Sequence, residues 1–584
     1  MAAPPQSPTI DYSKQTNRRY GPTASSAPVP STASLLGGAG GGGQPPAAGA
    51  QRSSMRSSMR SSMGPRNPNQ AAGDGWGWND PEADDYLHNP DPKRDRKNDR
   101  GGSVFTARGV INVGCLFLLF ICLITLFAGY PIITHYTEPS QSTNGAYNLG
   151  GINATGQVPA IVGFPPLIDP DTPQNVYSRV GFDNQQYNLV FSDEFNKDGR
   201  TFYPGDDPYW QAVDLEWYDP SAITTEGGNL KITMSQQPLH DLQFQSGMLQ
   251  SWNQLCFQYS YYMEVRVSLP GSNRVAGFWP GIWTMGNLGR PGYGATTDGV
   301  WPYTYDSCDV GTAPNQTYNG LPRAALTTGT DDGSLSYASL PGQRLSSCTC
   351  RGEDHPGPTV NTGRGAPEID VIEAQISGTV GQMSQSVQVA PFDDFYQFNN
   401  RSNAVEIYNS DVTLWNTYLG GVFQQAVSGL TSVDSSVYQA TSGRFNIYGV
   451  EVFSDPKNRG AGHITWVSSG VKTWTMYPAA VGPNDRVSIG QRLISEEPMA
   501  MILNFGMSNG FQSVDLGNLK FPAQMLVDYV RVYQRKEGVL GCDPADHPTS
   551  AYIAKHPEAY SNPNLTTWAQ AGNKFPKNSF LGQC

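Results

Sequence analysis

The chain has 584 residues and a formal charge of −12, longer than one ordinary domain requires, although a single β-sandwich can exceed about 200 residues. The charge is split: residues 1–108 hold 13 Lys and Arg against 9 Asp and Glu, and the remainder carries −16. A folded part that acidic argues against nucleic acid or an anionic membrane surface as partner, and favours neutral substrates.

Residues 1–107 are rich in Ser, Pro, Gly and Ala, with "LLGGAGGGGQPPAAGA" and three tandem "RSSM" repeats from Arg52. Such composition cannot bury enough apolar surface to offset chain entropy, so a disordered tail is expected. "VINVGCLFLLFICLITLFAGYPII", residues 110–133, has no charge and is long enough to cross about 30 Å of hydrocarbon. Its distance from the N-terminus argues against a cleaved signal peptide. Lys93, Arg94, Arg96, Lys97, Arg100 and Arg108 precede it, and the next Lys or Arg is Arg179. The positive-inside rule then predicts a type II signal anchor, with the tail cytosolic and residues 134–584 lumenal or extracellular. Endoplasmic reticulum, Golgi and plasma membrane all remain open as its location.

N-x-[ST] sequons at Asn153, Asn315, Asn400 and Asn564 all follow the span, as glycosylation in a lumen requires. Six cysteines follow it too: Cys256, Cys308, Cys348, Cys350, Cys542 and Cys584. An even number in an oxidising compartment predicts disulfides, with 15 connectivities open. "CTC" lacks the spacing and His partners of a zinc site, so no metal is assigned.

From 177 to 534 short runs such as "YNLVFSDEF", "YYMEVRVSL" and "LVDYVRVYQ" alternate apolar and polar residues between Gly, Pro, Asn and Asp. This is the texture of an all-β sandwich. In "YYMEVRVSL", Met263, Val265 and Val267 face one way, Glu264 and Arg266 the other. Against this background "APEIDVIEAQ", residues 366–375, is irregular: Glu368, Asp370 and Glu373 fall in a 2-then-3 spacing among Ile369, Val371 and Ile372. A regular strand would bury Glu373 with the apolar residues. A one-residue bulge near Val371–Ile372 sends the three apolar side chains inward and the three acids outward. The strand must also curve, because carboxyl groups that act as a retaining pair stand about 5–5.5 Å apart. Asp370 between the glutamates would repel added charge and help keep one of them protonated.

Glu-Ile-Asp-Val-Ile-Glu resembles the E-x-D-x-x-E signature of glycoside hydrolase family 16, whose members are concanavalin-like β-jelly-rolls acting on β-glucans and galactans. "LVFSDEFN" (189–196), "SGMLQSWN", "FWPGIWTMGN" (278–287) and "DYVRVYQ" (528–534) follow in the family's order. "VWPYTYDSCDVGT", "LPGQRLSSCTCRGEDHPGP" and "GRGAPEIDVIEAQ" are similar to the fungal subgroup linked to cell-wall β-1,6-glucan synthesis, whose members are membrane-anchored. The resemblance implies that Glu368 is the nucleophile, Glu373 the general acid/base and Asp370 their electrostatic assistant. It further implies a retaining glycosidase or transglycosylase whose partner is a β-glucan. A non-catalytic glucan-binding scaffold and an endo-β-1,3-glucanase are the alternatives, and the oligomeric state is not predicted.

Flat aromatic rings cover pyranose C–H faces, with polar groups at the edges. Trp279, Trp283 and Trp301 are the leading candidates, followed by Trp217, Tyr303, Gln388 and Asn504. Trp279 and Trp283 flank Pro280 and Gly281, so only one of them need reach the cleft. Where many laminarin-cleaving members of the family carry a His, this chain has Gln385 and Gln388. About 80 residues separate "FWPGIWTMGN" from Glu368. Long internal loops are usually functional, and 304–362 is expected to form a disulfide-pinned lid. The segment 535–584 is expected to clamp the domain through Cys542 and Cys584. No organic cofactor is expected. The wider family's structural calcium is possible on the convex face, but no run of this sequence identifies its ligands.

Overall fold

The computed structural model describes residues 93, 96, 105–130, 132, 165–326, 341–390, 393, 396–420 and 424–584. Most of the N-terminal tail, and the sequon at Asn153, lie outside these residues.

Two compact units are present, one of which contains helix α1 (Ala107–Ile124). A short π-helical turn, Thr125–Gly129, extends it. Val110–Gly129 is long and apolar enough to cross a membrane, and none of it is buried by protein. An apolar helix that buries nothing against protein is consistent with a single-pass anchor.

The other unit is β-rich. Its first strands are β1 (Ser178–Val180), β2 (Gln186–Asp193), β3 (Gln211–Ala212), β4 (Ile223–Glu226), β5 (Asn229–Met234), β6 (Met248–Gln250) and β7 (Cys256–Gln258). β8 (Ser260–Ser268) and β9 (Phe278–Gly286) lead to the long insertion, which returns at β10 (Glu368–Ser377). Then come β11 (Val380–Val389), β12 (Val405–Ile407), β13 (Thr413–Trp415), β14 (Gln425–Ser432), β15 (Asn446–Phe453), β16 (His463–Ser468) and β17 (Val471–Met476). β18 (Met499–Met507), β19 (Ala523–Gln534) and β20 (Val539–Leu540) close the series.

These strands form two antiparallel sheets of a β-jelly-roll. One has the order β1-β2-β19-β8-β15-β16-β17-β12; the other, which carries the acids, runs β13-β14-β11-β10-β9-β18-β6-β3. The period-2 pattern works as expected: Met263, Val265 and Val267 of β8 enter the shared core with Ile369, Val371 and Ile372 of β10. Trp466 and Trp474 stack at 3.8 Å inside it, and Trp415 meets Trp474 edge-on. Each fully buried large apolar side chain contributes about 1.5–3 kcal/mol, which makes this layer the rigid base of the site.

The insertion and the C-terminal segment form a second packed layer. Leu288, Ala295, Val300, Leu345 and Ala366 of the insertion share an apolar cluster with Tyr552, Tyr560 and Trp568. Disulfides join Cys256 to Cys542, Cys308 to Cys348 and Cys350 to Cys584. Two of the three therefore tether the C-terminal segment, as expected of a clamp, and the third closes a loop within the insertion. The described part of that insertion is a packed layer, not a loose flap. Its hub is Arg364, whose side chain is inaccessible to solvent. The guanidinium donates to both oxygens of Glu497, each at 2.8 Å, and to the carbonyls of Gly357 and Pro548. The next residue, Gly365, passes so close to Tyr303 that a Cβ would lie 2.1 Å from the Tyr303 carbonyl oxygen, so only glycine fits.

Candidate functional site

Glu368, Asp370 and Glu373 lie on β10, and their neighbours show how the bulge arranges them. Against β9 they face Met285, Trp283 and Gly281; against β11 they face Gln388, Ser386 and Ser384. Six residues of β10, Glu368 to Glu373, are thus spanned by five on either neighbour, with the register shift between Asp370 and Glu373. The extra residue restores the acids to one face while Ile369, Val371 and Ile372 stay in the core.

A bulge frees backbone carbonyls, and here they are met from inside the core. The Trp466 indole N–H donates to the carbonyl of Asp370 at 2.8 Å. Gln385 donates to the carbonyl of Val371 at 3.4 Å, and its own carbonyl accepts from Thr431 and Thr473. Gln385 therefore supports the bulge from below. Gln388, two positions away from Ser386 on the cleft face, is the residue that touches an acid.

All three carboxyl groups are nearly inaccessible, at 0, 0 and 3 % exposure, so each depends on protein donors. Trp301 donates its indole N–H to Glu368 Oε2 at 2.6 Å. Asp370 Oδ2 accepts from Ser386 Oγ and Gln388 Nε2, both at 2.9 Å. Trp279 donates to Glu373 Oε1 at 3.2 Å. Burial pushes Asp370 up to about 6, against the lowering effect of its hydrogen bonds with Gln388, Ser386 and Glu368. Glu373 is raised well above the usual carboxylate range, first by burial and then by the charge of Asp370, with Trp279 and Ser386 opposing. The site thus favours a protonated Glu373 beside an acid that more readily ionises. A cavity of ≈ 160 Å³ opens beside Glu373, lined by Ser384, Ser386, Gln388, Tyr418 and Phe511 among others.

Residues 76–584 match the family model described as "Beta-glucan synthesis-associated protein SKN1/KRE6/Sbg1". The chain belongs to the SKN1/KRE6/Sbg1 family. It is 43% identical over 535 residues to the beta-glucan synthesis-associated protein SKN1 of Candida albicans, covering 86% of this chain and 67% of that protein. It is likewise 43% identical over 522 residues to KRE6 of Saccharomyces cerevisiae, covering 86% and 69%. Solved structures similar to it include SCLam, a non-specific endo-beta-1,3(4)-glucanase from family GH16 (TM-score 0.33, 20% identity, 61% of this chain and 97% of that one). The endo-beta-1,3-glucanase from Pyrococcus furiosus is another (TM-score 0.35, 16% identity, 61% and 98%).

In this SKN1/KRE6/Sbg1 family member the expected aromatic residues divide. Trp279 and Trp283 stand on the same face of β9, because four positions are two full strand periods; both adjoin the acids. Trp283 donates to Asn504 Oδ1 at 2.9 Å, and Asn504 donates in turn to Tyr218. Trp279 stacks on Phe511 with ring centroids 4.3 Å apart. Trp217 is partly buried, edge-on to Tyr218. Tyr303, like Trp279 and Trp283, is fully buried; it lies beneath the lead-in to β10, a support rather than an open platform.

Ser384, Ser386 and Phe511 escaped the sequence reading. The period-2 run Ser384, Ser386, Gln388 was the available signal for the serines; Phe511 had none, since only the fold brings its loop to β9. Asn315, Asn400 and Asn564 are exposed, as a glycan acceptor must be. Among the described residues Asp183, Glu451 and His463 bring potential metal ligands together. Glu451 already accepts the backbone N–H groups of Phe182 and Asp183, and Asp183 pairs with Arg535. This is an anchor for the β1–β2 hairpin and does not fit the all-oxygen cage that calcium takes.

Proposed function

We propose that this protein is a membrane-anchored retaining β-glucan glycosidase or transglycosylase serving fungal cell-wall β-1,6-glucan assembly. Its β-domain then lies on the lumenal or extracellular side and its tail in the cytosol. The observation that carries the reading is the bulged β10, which presents Glu368, Asp370 and Glu373 on one face, with donors on each and the proton favoured on Glu373.

The chemistry follows from the proton favoured on Glu373 and the indole donor on Glu368. The Glu368 carboxylate attacks the anomeric carbon as the C–O bond to the leaving sugar breaks, and Glu373 gives its proton to the departing oxygen. Glu373, now a carboxylate, removes a proton from an incoming hydroxyl. That oxygen attacks the anomeric carbon and Glu368 departs. Water as acceptor gives hydrolysis; a sugar hydroxyl gives transfer. Asp370 works through its charge, raising the proton affinity of Glu373 without itself reacting. The hydroxyl- and amide-lined cavity beside Glu373 supports a sugar acceptor, because it offers hydrogen-bond partners for hydroxyl groups where the acid/base stands. Membership of a beta-glucan synthesis-associated family supports the role in the wall.

The test is the product profile of the full-length detergent-solubilised protein on defined β-1,3- and β-1,6-gluco-oligosaccharides. Products both longer and shorter than the substrate are expected. Only shorter products would make it an endo-glucanase, and none at all would leave a glucan-binding scaffold.

A further inference from the structure

We propose that Trp301 is a positioning residue for Glu368, and that the C-terminal segment 535–584 holds it in place; this rests on Glu368 being the nucleophile. Trp301 belongs to the insertion, not to the sheet, yet its indole N–H is 2.6 Å from Glu368 Oε2. A neutral donor this close to a carboxylate favours the ionised form and fixes the orientation of the group. From the sheet itself, β9 and β11 set Met285 and Gln388 opposite Glu368, and its ionisable neighbours are Asp370 and Glu373 on its own strand.

The backbone leading into Trp301 is bonded to, or packed on, the C-terminal layer at successive points. Ala295 N donates to the carbonyl of Leu565 at 2.9 Å. Asp298 Oδ2 accepts the N–H of Trp568 at 2.8 Å. Gly299, at φ +71°, turns the chain where a Cβ would press on Phe575 at 3.2 Å. The Gly299 carbonyl accepts the N–H of Arg344, whose guanidinium lies 3.3 Å over the ring of the fully buried Trp568. Trp301 N then closes on Thr297 O, and its ring packs on the cluster that contains Tyr552 and Trp568. Cys256–Cys542 and Cys350–Cys584 tie this layer to β7 and to the insertion. A segment outside the sandwich therefore reaches the candidate nucleophile through one side chain.

The experiment compares Trp301→Phe, Asp298→Ala and Asp298→Asn with the wild type in pH–rate profiles on a defined β-1,3-gluco-oligosaccharide. Labelling of Glu368 by an epoxyalkyl β-glucoside is followed in parallel. Trp301→Phe keeps an apolar ring and loses the donor. Its kcat is expected to fall about ten- to a hundredfold with KM little changed. The acidic limb should move to higher pH, because the carboxylate form has lost a stabilising hydrogen bond. Asp298→Ala should move the same limb without altering any residue of β10, and Asp298→Asn, which keeps an acceptor for Trp568, should restore it. An unmoved limb with only KM raised would make Trp301 a sugar platform. A faster rate would make it an obstruction. Either result overturns the proposal while leaving the reading of Glu368 intact, whereas a wild type that neither turns over nor labels defeats that reading itself.

Discussion

Glu368→Gln is expected to lower glycosyl transfer by about 10⁴-fold or more while leaving the melting temperature unchanged or raised. The activity loss follows from the proposed role of Glu368 as the nucleophile that forms the covalent intermediate, a role whose loss in covalent enzymes costs on the order of 10⁴–10⁶. The stability expectation has a different origin. Three carboxyl groups stand buried on one face of β10, and burial raises the proton affinity of Asp370 and Glu373. Each ionised member is costly to bury and repels the others. Glutamine keeps the shape and an acceptor for Trp301 but carries no charge, so it relieves that cost. Transfer rate and thermal melting of the same full-length sample give both numbers. A variant that loses activity and melts much lower would point instead to a structural role for Glu368.

Arg364→Met is expected to destabilise the β-domain by about 3–5 kcal/mol, the usual cost of breaking a buried ion pair by removing one partner. Glu497 would be left buried without a counter-charge, and the carbonyls of Gly357 and Pro548 would lose their donor. The pH dependence has a definite sign. Burial alone would raise Glu497, but the charge and hydrogen bonds of Arg364, then His547 and the Gly365 N–H, hold it below the usual carboxylate range. Its contribution is present above the unfolded-state value and is lost as pH falls through the lowered folded value. Arg364→Met should therefore lower stability at neutral pH and flatten part of its acid dependence. Denaturant titrations at several pH values check both. Equal stability of variant and wild type at neutral pH would remove Arg364 as the hub of the insertion.

The parts of this structure that depend on local periodicity were legible in the chain. The 2-then-3 spacing of Glu368, Asp370 and Glu373 announced a bulge because period-2 pleating leaves no other way to keep Ile369, Val371 and Ile372 inside. The uncharged run after Arg108 announced an apolar helix by its length and lack of any polar face. What depends on distant partners was not legible. Nothing near Arg364 signals Glu497, 133 residues away. The six cysteines announced disulfides but not their pairing, because only the packing of the C-terminal segment on the insertion decides that Cys350 meets Cys584. Trp279 and Trp283 show the same limit: strand period puts both on one face of β9, but only the fold reveals that both are buried, one against Glu373 and Phe511, the other against Asn504. Tyr303 likewise sits under Gly365, and only the close approach of two loops reveals that it is buried.

The most direct test of the central claim is covalent trapping. Full-length protein is treated with a 2-deoxy-2-fluoro β-glucosyl donor, which slows release of the intermediate more than its formation, and the digest is mapped by mass spectrometry. One glycosyl adduct is predicted, on Glu368 in the stretch 366–375, absent from Glu368→Gln. An adduct on Glu373, or turnover of the natural oligosaccharide with no adduct on either glutamate, would contradict the assignment.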